Sequence, residues 1–404
     1  MKILVGGVPF GRDNVGDEAI LECVVNILRA IVPDAELVVS TDDQEATAKK
    51  LSVSTCPLFG FVPPGFDRQQ MLSTIESVDA FVWSGATGLS DYPEIPLEML
   101  QHAADKGKKT IVFNTGMNSE LNPFLYQLMP GTRLKLFSAL KSMTLGQVDL
   151  AARFERVKKA RASARMEKAL SAADEVIVRD AQSVDAIRDF VAHVPSLTVG
   201  ADPAIEMAVK TVEDSPFADE VKKVCKEPVK RIGLCISAQR AVRQIKDIAA
   251  VFDRISADTG AKVVGIPMNP ITDAKLMVDF RQMLEKPESM VVAEGRFEPD
   301  EITGLASKMD VVISSRLHLL ILSSITKTPF IGISRGTKVT NFTSQFGLPD
   351  IGSVDTLAPD LLENEIRRLF DEREAFEAVA EQTLVEMHGR LDGAKKKLRE
   401  LLLS

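Results

Sequence analysis

Residues 2–20, KILVGGVPFGRDNVGDEAI, open with a short β-branched run, pass through a loop with three glycines and resume as a helical pattern near Gly16. An apolar run without polar alternation belongs to a parallel sheet covered on both faces. The pattern recurs down the chain. Runs 36–41 (ELVVST), 79–84 (DAFVWS), 109–114 (KTIVFN) and 175–179 (EVIVR) join the first to make one set. Runs 231–237 (RIGLCIS), 261–266 (AKVVGI), 310–314 (DVVIS) and 329–334 (PFIGIS) make another. Helical patterns separate them. The fold class is therefore α/β, with two parallel sheets, one in residues 1–210 and one in 228–360. The charged stretch 210–230, which carries Pro216 and Pro228, reads as a linker. Residues 361–404 read as a helical segment that packs back across both domains, broken near Gly389 and Gly393.

Composition narrows the function. A net charge of −8 over 404 residues argues against general nucleic-acid binding, which needs a basic footprint. Four cysteines, none in a C-x-x-C pair, exclude a zinc knuckle and fit a reducing, cytoplasmic compartment. No run approaches the roughly 18 apolar residues of a membrane span. With one Trp and two Tyr, the chain cannot line a long sugar-stacking groove. A small polar donor and a short acceptor suit it better.

Parallel sheets bind ligands at the carboxyl ends of their strands, and five segments lie there. In the first loop Asn14 is placed to cap a helix, with Asp17 three residues on as a capping-box partner. The glycines, Gly16 among them, let the backbone come close to a ligand. A dinucleotide fingerprint fails because Val8 stands where a glycine is needed; Asp42, suited to a ribose, is weak alone. The second segment, WSGATGLSDYPE (83–94), carries Gly85 and Asp91. Asp91 suits proton abstraction from a hydroxyl, or a plain turn before Pro93. The third, EVIVRDAQS (175–183), ends a strand on Arg179, with Asp180 as the next helix cap. Arg179 is either ion-paired or aimed at an anion in the cleft.

The fourth segment, DVVISSRLH (310–318), is the most informative. Ser314 and Ser315 are natural caps, and Arg316 and His318 then lean over a helix N-terminus. The fifth, PFIGISRGTKVTN (329–341), ends a strand at Ser334 and adds Arg335 and Lys338. His102, His193 and His388 lack such context. The basic run 153–168 reads by default as a solvated helix, and otherwise as a patch for an acceptor phosphate or an anionic membrane surface. Lys395–Lys397 takes the same default.

In this order, the segments resemble the polysaccharide pyruvyl transferase family. The likeness rests on NVGDEAI (14–20), VRD (178–180), ADPA (201–204), SRLH (315–318), and GISRGTK (332–338) before FGLP (346–349). It implies two Rossmann-like domains facing a cleft, similar to the B-type glycosyltransferase fold. It implies pyruvyl transfer from phosphoenolpyruvate to two hydroxyls of one sugar of a cell-surface polysaccharide or its precursor, free or lipid-linked. Phosphoenolpyruvate is the donor substrate; no further cofactor and no metal is called for. Arg179, Arg316, His318 and Lys338 then hold the donor, with His318 as acid. Asp91 serves the acceptor, and Ser334, Asn14, Gly16, Asp17 and Gly85 complete the site. Two departures stand out: Ser84-Gly85-Ala86 replaces a run of three glycines, and Arg335 an aromatic residue. The alternative is a nucleotide-sugar glycosyltransferase of the same fold. A non-catalytic anion-binding relative and a nicotinamide oxidoreductase fit less well, the latter because of Val8.

Overall fold

The structure, a computed structural model, describes residues 1–61, 66–145, 147–193, 196–237 and 242–404. The first sheet holds β1 (Lys2–Gly6), β2 (Glu36–Thr41), β3 (Ser54–Pro57), β4 (Ala80–Ser84), β5 (Lys109–Thr115), β6 (Glu175–Val178) and β7 (Thr198–Val199). Their order is β3-β2-β1-β4-β5-β6-β7, every pair parallel. The second holds β8 (Arg231–Cys235), β9 (Lys262–Gly265), β10 (Met290–Val292), β11 (Val311–Ser314) and β12 (Phe330–Gly332). It too is parallel, in the order β10-β9-β8-β11-β12.

The central strands are buried on both faces, as their unbroken apolar runs require. Helix α1 (Val15–Ile31) packs beside β4, with Ile20, Val24 and Leu28 buried. Each sheet reverses its strand order once, between β1 and β4 and between β8 and β11. Loops diverge at such points and leave a crevice. The two crevices face one another. A backbone bond crosses between the halves beside them, Val15 N–H to the Met268 carbonyl at 3.0 Å.

Two expectations are corrected. Stretch 210–230 is folded rather than loose: Val212, Phe217 and Val221 are buried, Asp219–Val224 is helical, and Lys210 pairs with Glu301 at 2.8 Å. The C-terminal helix, Arg373–Leu403, runs unbroken through Gly389 and Gly393. Both glycines face open space. Each costs about 1 kcal/mol, while Met387, Leu391, Ala394, Leu398 and Leu402 form a buried stripe that outweighs it. This helix packs on β5 and β6 of the first sheet and on the Leu317–Ile325 helix of the second. Lys397 pairs with Glu175 at 2.6 Å.

Removing residues 373–404 uncovers this stripe. Each large apolar side chain in it is worth about 1.5–3 kcal/mol of burial. The truncated chain should melt at a much lower temperature or fail to fold; an unchanged calorimetric transition would contradict the packing role.

Candidate active site

The two crevices merge into one cavity of about 770 Å³. Its wall on one side comes from loops after β1, β4, β5 and β6, and on the other from loops after β8, β9, β11 and β12. Asn14, Asp17, Asp91, Arg179, Arg316, His318 and Lys338 all line it. Ser334 and Gly85 do not. The Ser334 hydroxyl is turned onto its own loop, where it donates to the Gly336 carbonyl at 2.9 Å. Gly85, at φ +81°, sits against Ile20.

Gly16 also lies outside the lining and does something else. The imidazole of His318 rests on it, and a Cβ added at Gly16 would overlap the ring. Glycine is thus required where the first helix of one half meets the histidine of the other. Asn14 does cap α1, accepting from Gly16 N–H at 3.3 Å. The expected capping box differs in detail: the Asn14 amide donates to the Asp17 carboxylate at 2.7 Å, so Asp17 braces the cap rather than reaching back to its backbone. Burial pushes the Asp17 carboxyl above its ordinary range, although His318, Asn14, Lys338 and Arg316 pull the other way.

The Ser314 and Ser315 caps are also corrected. Arg316 itself occupies the N-cap position of the Leu317–Ile325 helix. The Ser314 hydroxyl accepts from Arg316 N–H at 2.9 Å, and that of Ser315 from Ser237 N–H at 2.8 Å. Arg316 is not a wholly free fork. Its Nε and Nη2 donate to the two oxygens of Asp273, at 2.9 and 2.8 Å. Asp273 is fully buried. This bidentate pair fixes the guanidinium plane and leaves its remaining edge for the cavity.

Sequence reasoning quoted ADPA but gave Asp202 no role. Buried behind the cavity, its Oδ2 lies 3.5 Å from His318 Nε2 and 3.6 Å from Arg179 Nη1. Both nitrogens are buried and make no hydrogen bond. Its other oxygen accepts from Ala204 N–H at 3.0 Å. Burial favours the neutral acid, yet His318, Arg179 and that N–H hold the Asp202 carboxyl below the usual range. With Nε2 turned to Asp202, Nδ1 is the nitrogen over Gly16.

Arg179 also donates from Nε to Asp180 at 3.2 Å, while Asp180 caps the Ala181–Phe190 helix as expected. On the same wall Asp91 takes hydrogen bonds from Thr87 and, at 3.1 Å, from the Asn118 amide. Lys338, in the first turn of the Thr337–Ser344 helix, reaches to 3.8 Å from Asp91 across the cleft. Arg335 donates to the Ser237 carbonyl. Asp273 carried no readable sequence signal. Asp202 did, in the buried D-P turn that follows Gly200.

Two expected outcomes follow. Asp202→Asn should lower the melting temperature at neutral pH. A depressed carboxyl stabilises above its unfolded pKa of about 3.8, and that contribution fades as pH falls through the lower folded value. The gap between variant and parent should therefore close in acid; a constant gap would contradict the charge argument. Gly16→Ala should displace His318 and cut activity with little change in secondary structure, as read by circular dichroism.

The chain resembles solved structures over nearly its whole length. A UDP-N-acetylglucosamine 2-epimerase from Neisseria meningitidis superposes with a TM-score of 0.59 at 13% identity, covering 100% of both chains. A glycosyltransferase from Rickettsia africae gives a TM-score of 0.61 at 11% identity, covering 99% of this chain and 98% of that one. At such identities the likeness is one of fold, and that fold is the B-type glycosyltransferase architecture. No curated protein is significantly similar in sequence. The model of the polysaccharide pyruvyl transferase family matches residues 14–337, from the Asn14 cap through Arg179, Arg316 and His318 to the turn before Lys338, and the chain belongs to that family.

Proposed function

We propose that the chain transfers a pyruvyl group from phosphoenolpyruvate to two hydroxyls of a saccharide, giving a cyclic ketal and inorganic phosphate. One observation carries this reading. Arg179, Arg316, Arg335 and Lys338, drawn from both halves, converge with His318 on a single cavity also lined by Asp17, Asp91 and Glu120. Phosphoenolpyruvate brings a phosphate and a carboxylate on one small carbon frame, and both need cations.

Arg179, Arg316 and Lys338 bind these two anionic groups. His318, beside Asp202, delivers a proton to C3 of the enol. The first sugar hydroxyl adds to C2, forming a C–O bond as the C2–C3 double bond becomes a methyl carbon. Asp91, across the cleft, accepts or orients that hydroxyl proton. The C2–O bond to phosphate then breaks. The second hydroxyl closes on C2, and its proton leaves with the phosphate. One hydroxyl proton makes good the one spent on C3 and the other goes to phosphate, so the sum balances without an added oxidant or reductant. Asp17, its carboxyl raised by burial, is placed to carry a proton between these groups. The alternative, transfer from a nucleotide sugar, also brings anionic phosphates to these cations, and the choice of donor in the assay separates the two.

Incubation with phosphoenolpyruvate and a panel of free and lipid-linked sugars should release phosphate in an acceptor-dependent way. Turnover of uridine diphosphate sugars instead would overturn the reading. His318→Gln, which keeps a hydrogen-bond donor, should lower kcat by about 10²–10⁴-fold if the imidazolium donates the proton. Near-normal turnover at saturating donor would reduce His318 to a ligand.

A further inference from the structure

The Thr132–Met143 helix buries none of its residues. Leu136, Ala139 and Met143, all exposed, recur along it at the spacing of one helix face. Leu136 is 65% exposed and Met143 81%, and just outside the helix Met129 is 55% and Leu145 93% exposed. Leu134 and Phe137, on the other side, are half-buried where the helix packs on Leu150–Ala172. The stripe is therefore spare apolar surface, not a core face.

Charge surrounds it. Between residues 129 and 168 lie ten Lys or Arg against three Asp or Glu, a surplus of seven in a chain whose net charge is −8. Arg153, Arg156, Lys158, Arg161 and Arg165 are exposed on the second helix, which buries only Met166, Ala169 and Leu170 near its end. Exposed apolar side chains flanked by cations match an anionic lipid surface: the apolar stripe enters the acyl boundary and the cations meet head groups. A symmetric second copy would set these cations against each other. Among the described residues no helix is long and apolar enough to cross a membrane, so contact would be peripheral.

We propose that residues 129–165 dock the protein on an anionic bilayer. Leu121, Asn122 and Pro123 line the active cavity, and the docking helix starts nine residues beyond Pro123. Docking thus holds the Asp91 side of the cleft near the lipid. The proposal stands apart from the reaction above, because its readout needs no substrate.

The test is cosedimentation of the full chain with vesicles of phosphatidylcholine alone or mixed with phosphatidylglycerol. Binding should require the anionic lipid and weaken with salt. L136Q/M143Q/L145Q, and separately R153Q/R156Q/R161Q, should each lower the partition coefficient by about tenfold or more. Both sets lie on the surface, so melting temperatures should stay unchanged. No binding to anionic vesicles, or binding by both variants as strong as by the parent, would overturn the proposal. So would a concentration-dependent dimer, seen by light scattering, that the apolar variant dissolves.

Discussion

A carboxylate taken out of water stays ionised only if cations or N–H donors meet it. Asp202 is such a group. Arg179, at the end of β6, reaches it from one side and His318, just past β11, from the other. The His318 contact exists only when the two halves are closed with their strand ends opposed, while the Arg179 contact lies within the first half. The closed arrangement therefore fixes the ionisation of the site, and the site's charges reward closure. Gly16 completes this constraint, since any side chain there would hold the His318 ring away from Asp202.

The same logic explains the uneven commitment of the cations. Arg316 is anchored on both oxygens of Asp273 and Arg179 on Asp180, so each guanidinium is oriented before a ligand arrives. Lys338 has only a long contact to Asp91. The anchored arginines supply geometry and the looser lysine supplies reach. Fixed donors lose little freedom on binding, which is what a site for a small dianion requires.

Much of this was legible in the sequence, for a physical reason. Nine strands announced themselves because central parallel strands are buried on both faces and must be apolar throughout. The three that did not, β3, β7 and β10, are all edge strands. STCP, TV and MVV are too short or too polar to stand out from loops. The cleft residues were legible because each follows a strand end. Buried partners were not: Asp273 acts through Arg316, and nothing in local spacing marks a carboxylate whose cation lies 43 residues away. The helix caps misled for a related reason. Ser314 and Ser315 suit a cap by type, but their hydroxyls serve the loop backbone, so the helix begins one residue later, on the arginine the cleft needs.

A UDP-N-acetylglucosamine 2-epimerase and a glycosyltransferase share this architecture at 11–13% identity, so the fold leaves the chemistry open. What differs is local. Two facing parallel sheets supply a crevice with strand ends on both walls, and any residue placed there points at the same small volume. Here those positions carry Asp17, Asp91 and Arg179 on one wall and Arg316, His318 and Lys338 on the other. Few aromatics line the walls, so a bound sugar must be held by polar contacts and by its reaction partner rather than by stacking. A cleft of this kind favours a compact, highly charged donor beside a short acceptor, because the cations are concentrated at its centre and little else along the groove could hold a longer chain.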